Sequence, residues 1–156
     1  MRIRLVAAGT RMPRWVDNGF SDYSGRLPRE CRLELQEISL SRHRRSGDLN
    51  RALRDEGDRM LAALGASDLV VALDVAGTCF DTAALAGRLN DWLHSGRDVA
   101  LLVGGPDGLA KECLARADLR WSLSPLTFPH ALVRVLIAEQ LYRAWSILRG
   151  HPYHRE

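Results

Sequence analysis

Arginine dominates the residues equipped for chemistry: 21 of the 22 basic side chains are arginine, and Lys111 alone is lysine. A guanidinium offers a planar fork that donates two parallel hydrogen bonds to a phosphate, although a codon bias toward arginine would give the same excess. Position says more than count. The segment Ser41–Arg42–His43–Arg44–Arg45–Ser46–Gly47 sets three arginines and a histidine between two patterned runs, which suits a mobile basic loop that meets an RNA backbone, or equally a solvated loop. A second candidate is Gly104–Gly105–Pro106–Asp107–Gly108, directly after the apolar run Leu101–Val103. Its glycines let a ligand approach the backbone, and Pro106 stiffens the exit. The spacing matches neither a dinucleotide fingerprint nor a Walker loop, and a glycine pair after a strand also serves as a plain turn. His130 and His154 carry the side chain whose free pKa lies nearest neutrality. His130 stands where a helix opens and could simply cap it; His154 lies in a polar tail without apolar periodicity. His151 and His154 are three apart with no third ligand in view, which argues against a metal site. Cys31, Cys79 and Cys113 are odd in number and form no C-x-x-C pair, so they read as reduced thiols rather than a disulfide framework or zinc site.

The elements that must hold these groups follow two alternating periodicities. Arg2–Ala8 reads as a short buried strand, and Pro13 opens a helix with Trp15, Val16, Phe20, Tyr23 and Leu27 on one face. Arg32–Ile38 alternates polar and apolar residues as a half-buried strand. Asp48 then caps a helix carrying Leu49, Ala52, Leu53, Met60, Leu61 and Leu64, stopped by Gly65. Asp68–Asp74, Asp98–Val103 and Leu119–Leu123 read as three further strands, separated by helices over Asp81–Ser95 and Leu109–Ala117. The chain turns through Ser124–Pro129 into its longest helix, where Leu132, Val133, Leu136, Ile137, Leu141, Ala144, Trp145 and Leu148 form one stripe. Strands alternating with helices predict an α/β fold, a mostly parallel sheet with helices on both faces. At 156 residues, with 46% hydrophobic and 26% charged, the chain fits a single domain over 1–156. No apolar run reaches the roughly 18 residues of a membrane helix. Leu5–Ala8 is too short for the apolar part of a signal peptide, so a cytoplasmic location is expected. In such a sheet, ligands bind at the carboxyl ends of the strands.

A set of longer motifs narrows the reading. Gly104–Gly105–Pro106–Asp107–Gly108, the segment Trp121–His130, the helical text Leu132–Leu136 with Ala138–Ser146, the tail His151–Glu156 and the opening Leu5–Thr10 with Met12, Pro13 and Trp15 together resemble the bacterial large-subunit ribosomal RNA pseudouridine N3-methyltransferases, members of the SPOUT superfamily. The resemblance spans essentially the whole chain. It implies a C-terminal trefoil knot, which physical reading of a sequence would not foresee because knots are rare. It also implies a homodimer, S-adenosylmethionine as methyl donor, and 23S rRNA within the ribosome as substrate.

The resemblance places the donor against Leu73, Gly104 and the loop Leu123, Ser124, Pro125, Leu126, Thr127 and Phe128. Leu123, Leu126 and Phe128 would flank the flat faces of adenine while loop backbone reads its edge, and Gly104 would leave room for the methionine part. Leu73 and Leu123 could otherwise just finish strands. Methylating N3 requires loss of its proton, so His130 or His154 would assist deprotonation, Arg155 would hold a phosphate or the base oxygens, and Tyr153 would stack on the flipped ring. Three other readings share parts of this pattern: another SPOUT enzyme acting on tRNA or a ribose hydroxyl, a ribosome-binding module without catalysis, and a flavodoxin-like protein.

Overall fold

The computed structural model describes residues 1–155; Glu156, the last residue of the tail motif, lies outside them. Five strands, β1 (Arg2–Ala8), β2 (Arg32–Ile38), β3 (Leu69–Cys79), β4 (Val99–Val103) and β5 (Leu119–Ser122), form one sheet in the order β2-β1-β4-β3-β5, with every neighbouring pair parallel. The helices between them are α1 (Arg14–Arg26), α2 (Leu49–Ala62), α3 (Thr82–His94), α4 (Lys111–Arg116) and α5 (His130–Leu148). Both strand-to-strand moves toward the β2 edge, β1 to β2 and β3 to β4, pass through α1 and α3. Both moves the other way pass through α2 and α4. Right-handed crossovers therefore put these pairs on opposite faces, and the cores agree. Phe20, Leu85 and Leu89 join Ile137 and Leu141 of α5 beneath one face, while Met60, Ala110 and Cys113 pack on the other. Because both faces are covered, β4 is buried at all five positions and reads as a continuous apolar run.

The helix starts carry local causes. Asp48 accepts from the Arg51 amide and Asp81 from the Ala84 amide, at 3.2 and 2.8 Å, each satisfying a donor the helix itself leaves open. Trp15 and Leu49, expected to face inward, are 57% and 46% exposed. Both lie in the first turn of their helices, where Val16 and Ala52 take the core-facing positions.

The third strand runs five residues past its expected end at Asp74. Its register against β5 slips, Trp121 facing both Leu73 and Thr78; this is a bulge that bends the strand just where the sheet opens. The basic segment is ordered as well: Arg42–Arg44 is a 3₁₀ turn whose preceding Ser41 Oγ accepts from the His43 amide. The tail, expected without periodicity, forms a turn over Pro152–Arg155 that packs on α5. Burial pushes the Cys31 and Cys113 thiols up to about 11, so they stay protonated and inert at neutral pH. No helix among the described residues is long and apolar enough to cross a membrane.

Candidate active site

Since all strands run parallel, their carboxyl ends share one edge, and a cavity of about 400 Å³ opens there. Its walls come from the end of β3, the glycine turn after β4, the loop after β5 and the first turn of α5. Of the residues expected to hold the donor, Leu73, Gly104, Leu123, Ser124, Leu126, Thr127 and Phe128 line it; Pro125 belongs to the same loop but does not. The loop is internally braced, with Ser122 Oγ donating to the Ser124 carbonyl and Ser124 Oγ accepting from the Leu126 amide. Leu126 stands at the lip, 68% exposed. The floor is Trp121, which stacks on Phe80 with centroids 5.2 Å apart, and Arg88 covers the outer face of Phe80.

The glycine turn is built by its own backbone. Gly105 and Gly108 form a bridge, the Gly108 amide donating to the Gly105 carbonyl at 3.1 Å, and Gly108 has φ +80°. The turn folds back so tightly that a Cβ on Gly104 would meet the Gly108 carbonyl carbon at 2.3 Å. Glycine at 104 is therefore required by the turn itself.

His130 is the one expected catalytic residue on the cavity wall. Its imidazole and the Arg134 guanidinium both lie against Gly9, at the end of β1. Burial, then the charges of Arg134 and Arg44, pulls its pKa below the ordinary value, which leaves the ring neutral and able to accept a proton at neutral pH. In the linear chain Arg134 interrupts the apolar run Leu132–Ala138. It is fully buried: Nη1 donates to Glu37 at 2.8 Å and Nη2 to the Gly9 carbonyl at 2.7 Å, tying α5 to the ends of β1 and β2. A lone arginine inside an apolar helical stripe was the available signal, since buried charge survives only when paired.

Tyr153, His154 and Arg155 are not brought to this cavity. The Tyr153 hydroxyl donates to Glu139 at 3.1 Å, and its ring packs on Tyr142 and beneath Arg143. Glu139 is nine residues beyond His130 on α5, roughly 13 Å along the helix axis. Arg155 is exposed and His154 half-buried, so they are available to something outside their own pocket.

The family model described as "Predicted SPOUT methyltransferase" matches residues 1–154. The chain belongs to the SPOUT methyltransferase family. Among relatives, it is 62% identical to the ribosomal RNA large subunit methyltransferase H of Thioalkalivibrio sulfidiphilus (strain HL-EbGR7), over 100% of both chains. It is 64% identical to the protein of that name from Alkalilimnicola ehrlichii (strain ATCC BAA-1101 / DSM 17681 / MLHE-1), over 99% of each. Among solved structures, the SPOUT fold recurs in a "probable methylase family protein" of Haemophilus influenzae Rd KW20, with TM-score 0.60 at 15% identity, covering 97% of this chain and 69% of that one. It recurs also in a ribosomal RNA small subunit methyltransferase E of Neisseria gonorrhoeae bound to S-adenosyl methionine, with TM-score 0.51 at 10% identity, covering 95% and 66%. At those identities the likeness concerns the SPOUT fold alone.

Proposed function

We propose that this protein transfers a methyl group from S-adenosylmethionine to N3 of a pseudouridine in 23S rRNA, on the assembled ribosome, as a cytoplasmic homodimer. Each subunit is read as one domain over 1–156 with a knotted C-terminal segment. The observation that carries the reading is the gathering of Leu73, Gly104 and the 123–128 loop around a single cavity with His130 on its wall, in a chain whose full-length relatives bear a ribosomal RNA methyltransferase name.

The cavity fits the donor on its own chemistry. Its volume of about 400 Å³ lies in the range of small-ligand sites, and apolar walls with a few polar backbone edges suit a flat purine. Leu123, Leu126 and Phe128 would hold the adenine faces, and the Gly104 turn would lie along the methionine part. When bound, S-adenosylmethionine supplies an electrophilic sulfonium methyl. Neutral His130 accepts the N3 proton as the new N–C bond forms. The N3 electron pair takes the methyl as the S–C bond breaks, so the products would be the methylated base, S-adenosylhomocysteine and a protonated His130 imidazole. The tail serves the second subunit's cavity: Tyr153 anchors the turn on its own α5, and Arg155 and His154 reach across to hold the base.

Calorimetry with S-adenosylhomocysteine and mass spectrometry of rRNA from cells with and without the protein test this together. The expected results are one donor site per subunit and one missing N3 methyl. Unchanged rRNA in the deletion strain would reject the assignment.

A further inference from the structure

The basic segment contains one arginine that is not free to meet RNA. Arg44 is 14% exposed, and its Nε and Nη2 donate to the two carboxylate oxygens of Glu56, at 2.6 and 2.8 Å. Burial works against the Glu56 charge, yet the hydrogen bonds from Arg44 and the Ser41 amide outweigh it and lower its pKa. The Glu56 hydrogen bonds raise Arg44 in turn. The fork still has an arm to spare, and Nη1 donates to Asp107 at 2.5 Å.

Asp107 sits at the tip of the turn whose glycines and Pro106 wall the donor cavity, but it does not line that cavity itself. Its carboxylate has Arg44 as its single charged partner among the described residues. Arg42 and Arg45, on either side of Arg44, are exposed and form no ion pair among the described residues.

We propose that Arg44 is a positioning residue for the donor turn: anchored on Glu56, it holds Gly104–Gly108 in place through Asp107, and so joins the RNA-facing basic turn to the donor site. This rests on the donor assignment of the cavity. It separates three arginines that look alike in the sequence into two exposed side chains without an ion pair among the described residues and one brace.

The discriminating variant is Asp107→Asn, which removes the charge that Nη1 meets, reducing that arm to a weaker neutral hydrogen bond, and leaves the buried Arg44–Glu56 pair intact. Expected is about a fivefold rise in the Kd for S-adenosylhomocysteine and in the donor KM, with kcat, the rRNA KM and the melting temperature unchanged. Arg42→Glu with Arg45→Glu should do the reverse, raising the rRNA KM alone. Arg44→Gln should weaken donor binding too, and adding Asp107→Asn to it should cost nothing further, because one interaction cannot be lost twice. A donor Kd within twofold of wild type in Asp107→Asn, or effects of the two changes that multiply, overturns the proposal. Wild-type protein that binds no S-adenosylhomocysteine would instead overturn the donor assignment beneath it.

Discussion

Gly104→Ala tests the glycine turn most directly. A Cβ at 104 would lie 2.3 Å from the Gly108 carbonyl carbon, 2.5 Å from its oxygen and 2.7 Å from the Leu109 amide nitrogen. All three are backbone atoms, so no side-chain rotation relieves the overlap. Reaching ordinary contact near 3.4 Å requires the 104–108 turn to move by about 1.1 Å, and displacement on that scale in a substrate-positioning element costs on the order of 100-fold in turnover. Overpacking of this kind typically costs about 1–3 kcal/mol of stability, which a chain of this size registers as a fall of roughly 3–10 °C in Tm. Gly47→Ala is the control, since Gly47 has φ +79° but open space around its Cβ position. Only left-handed strain applies there, about 1–2 kcal/mol, at a residue that does not line the cavity. Calorimetry against S-adenosylhomocysteine and a thermal melt on both variants separate the two effects. Gly104→Ala that binds the ligand within twofold of wild type would refute the claim that this turn shapes the donor site.

Three further expectations follow from named contacts. Because the folded pKa of His130 is depressed below 6.5, the unfolded chain takes up its proton first; this contribution to stability is complete above about pH 6.5 and is lost as pH falls toward the folded value. Melting curves of His130→Gln should therefore show a shallower loss between neutral and mildly acidic pH, and slopes equal to wild type would contradict the assignment. Arg134→Met strips donors from the Gly9 and Ala8 carbonyls and a partner from Glu37. With Glu37 36% exposed and able to take up water, the loss should sit near 2–3 kcal/mol, and a Tm within 2 °C of wild type would show that the clasp is dispensable. Tyr153→Phe keeps the ring packing and should leave methylation nearly intact, whereas Tyr153→Ala should lower kcat at least tenfold with donor affinity unchanged; equal activity in both would remove the tail from the reaction.

The alternation of strand and helix, the cap at Asp48, and the parallel two-sided sheet were legible in the linear chain, because each depends on residues within a few positions of one another or on a short period. The loop tips at Leu73, Gly104 and Leu123–Phe128 were marked by the family resemblance, and parallel strands necessarily bring such tips to one edge. What the sequence could not separate were residues alike in type and distinct in environment. Arg42, Arg44 and Arg45 are equivalent as text; burial beside Glu56 and reach to Asp107, 63 residues away, make one of them a brace. Arg134 broke an apolar pattern until the ends of β1 and β2, about a hundred residues earlier in the chain, closed around its guanidinium. Tyr153, a plausible base-stacking residue in isolation, is committed to Glu139 and Tyr142. Local sequence sets backbone preference, but the partner of a charged or aromatic side chain comes from distant chain segments, and only tertiary packing fixes which group meets which.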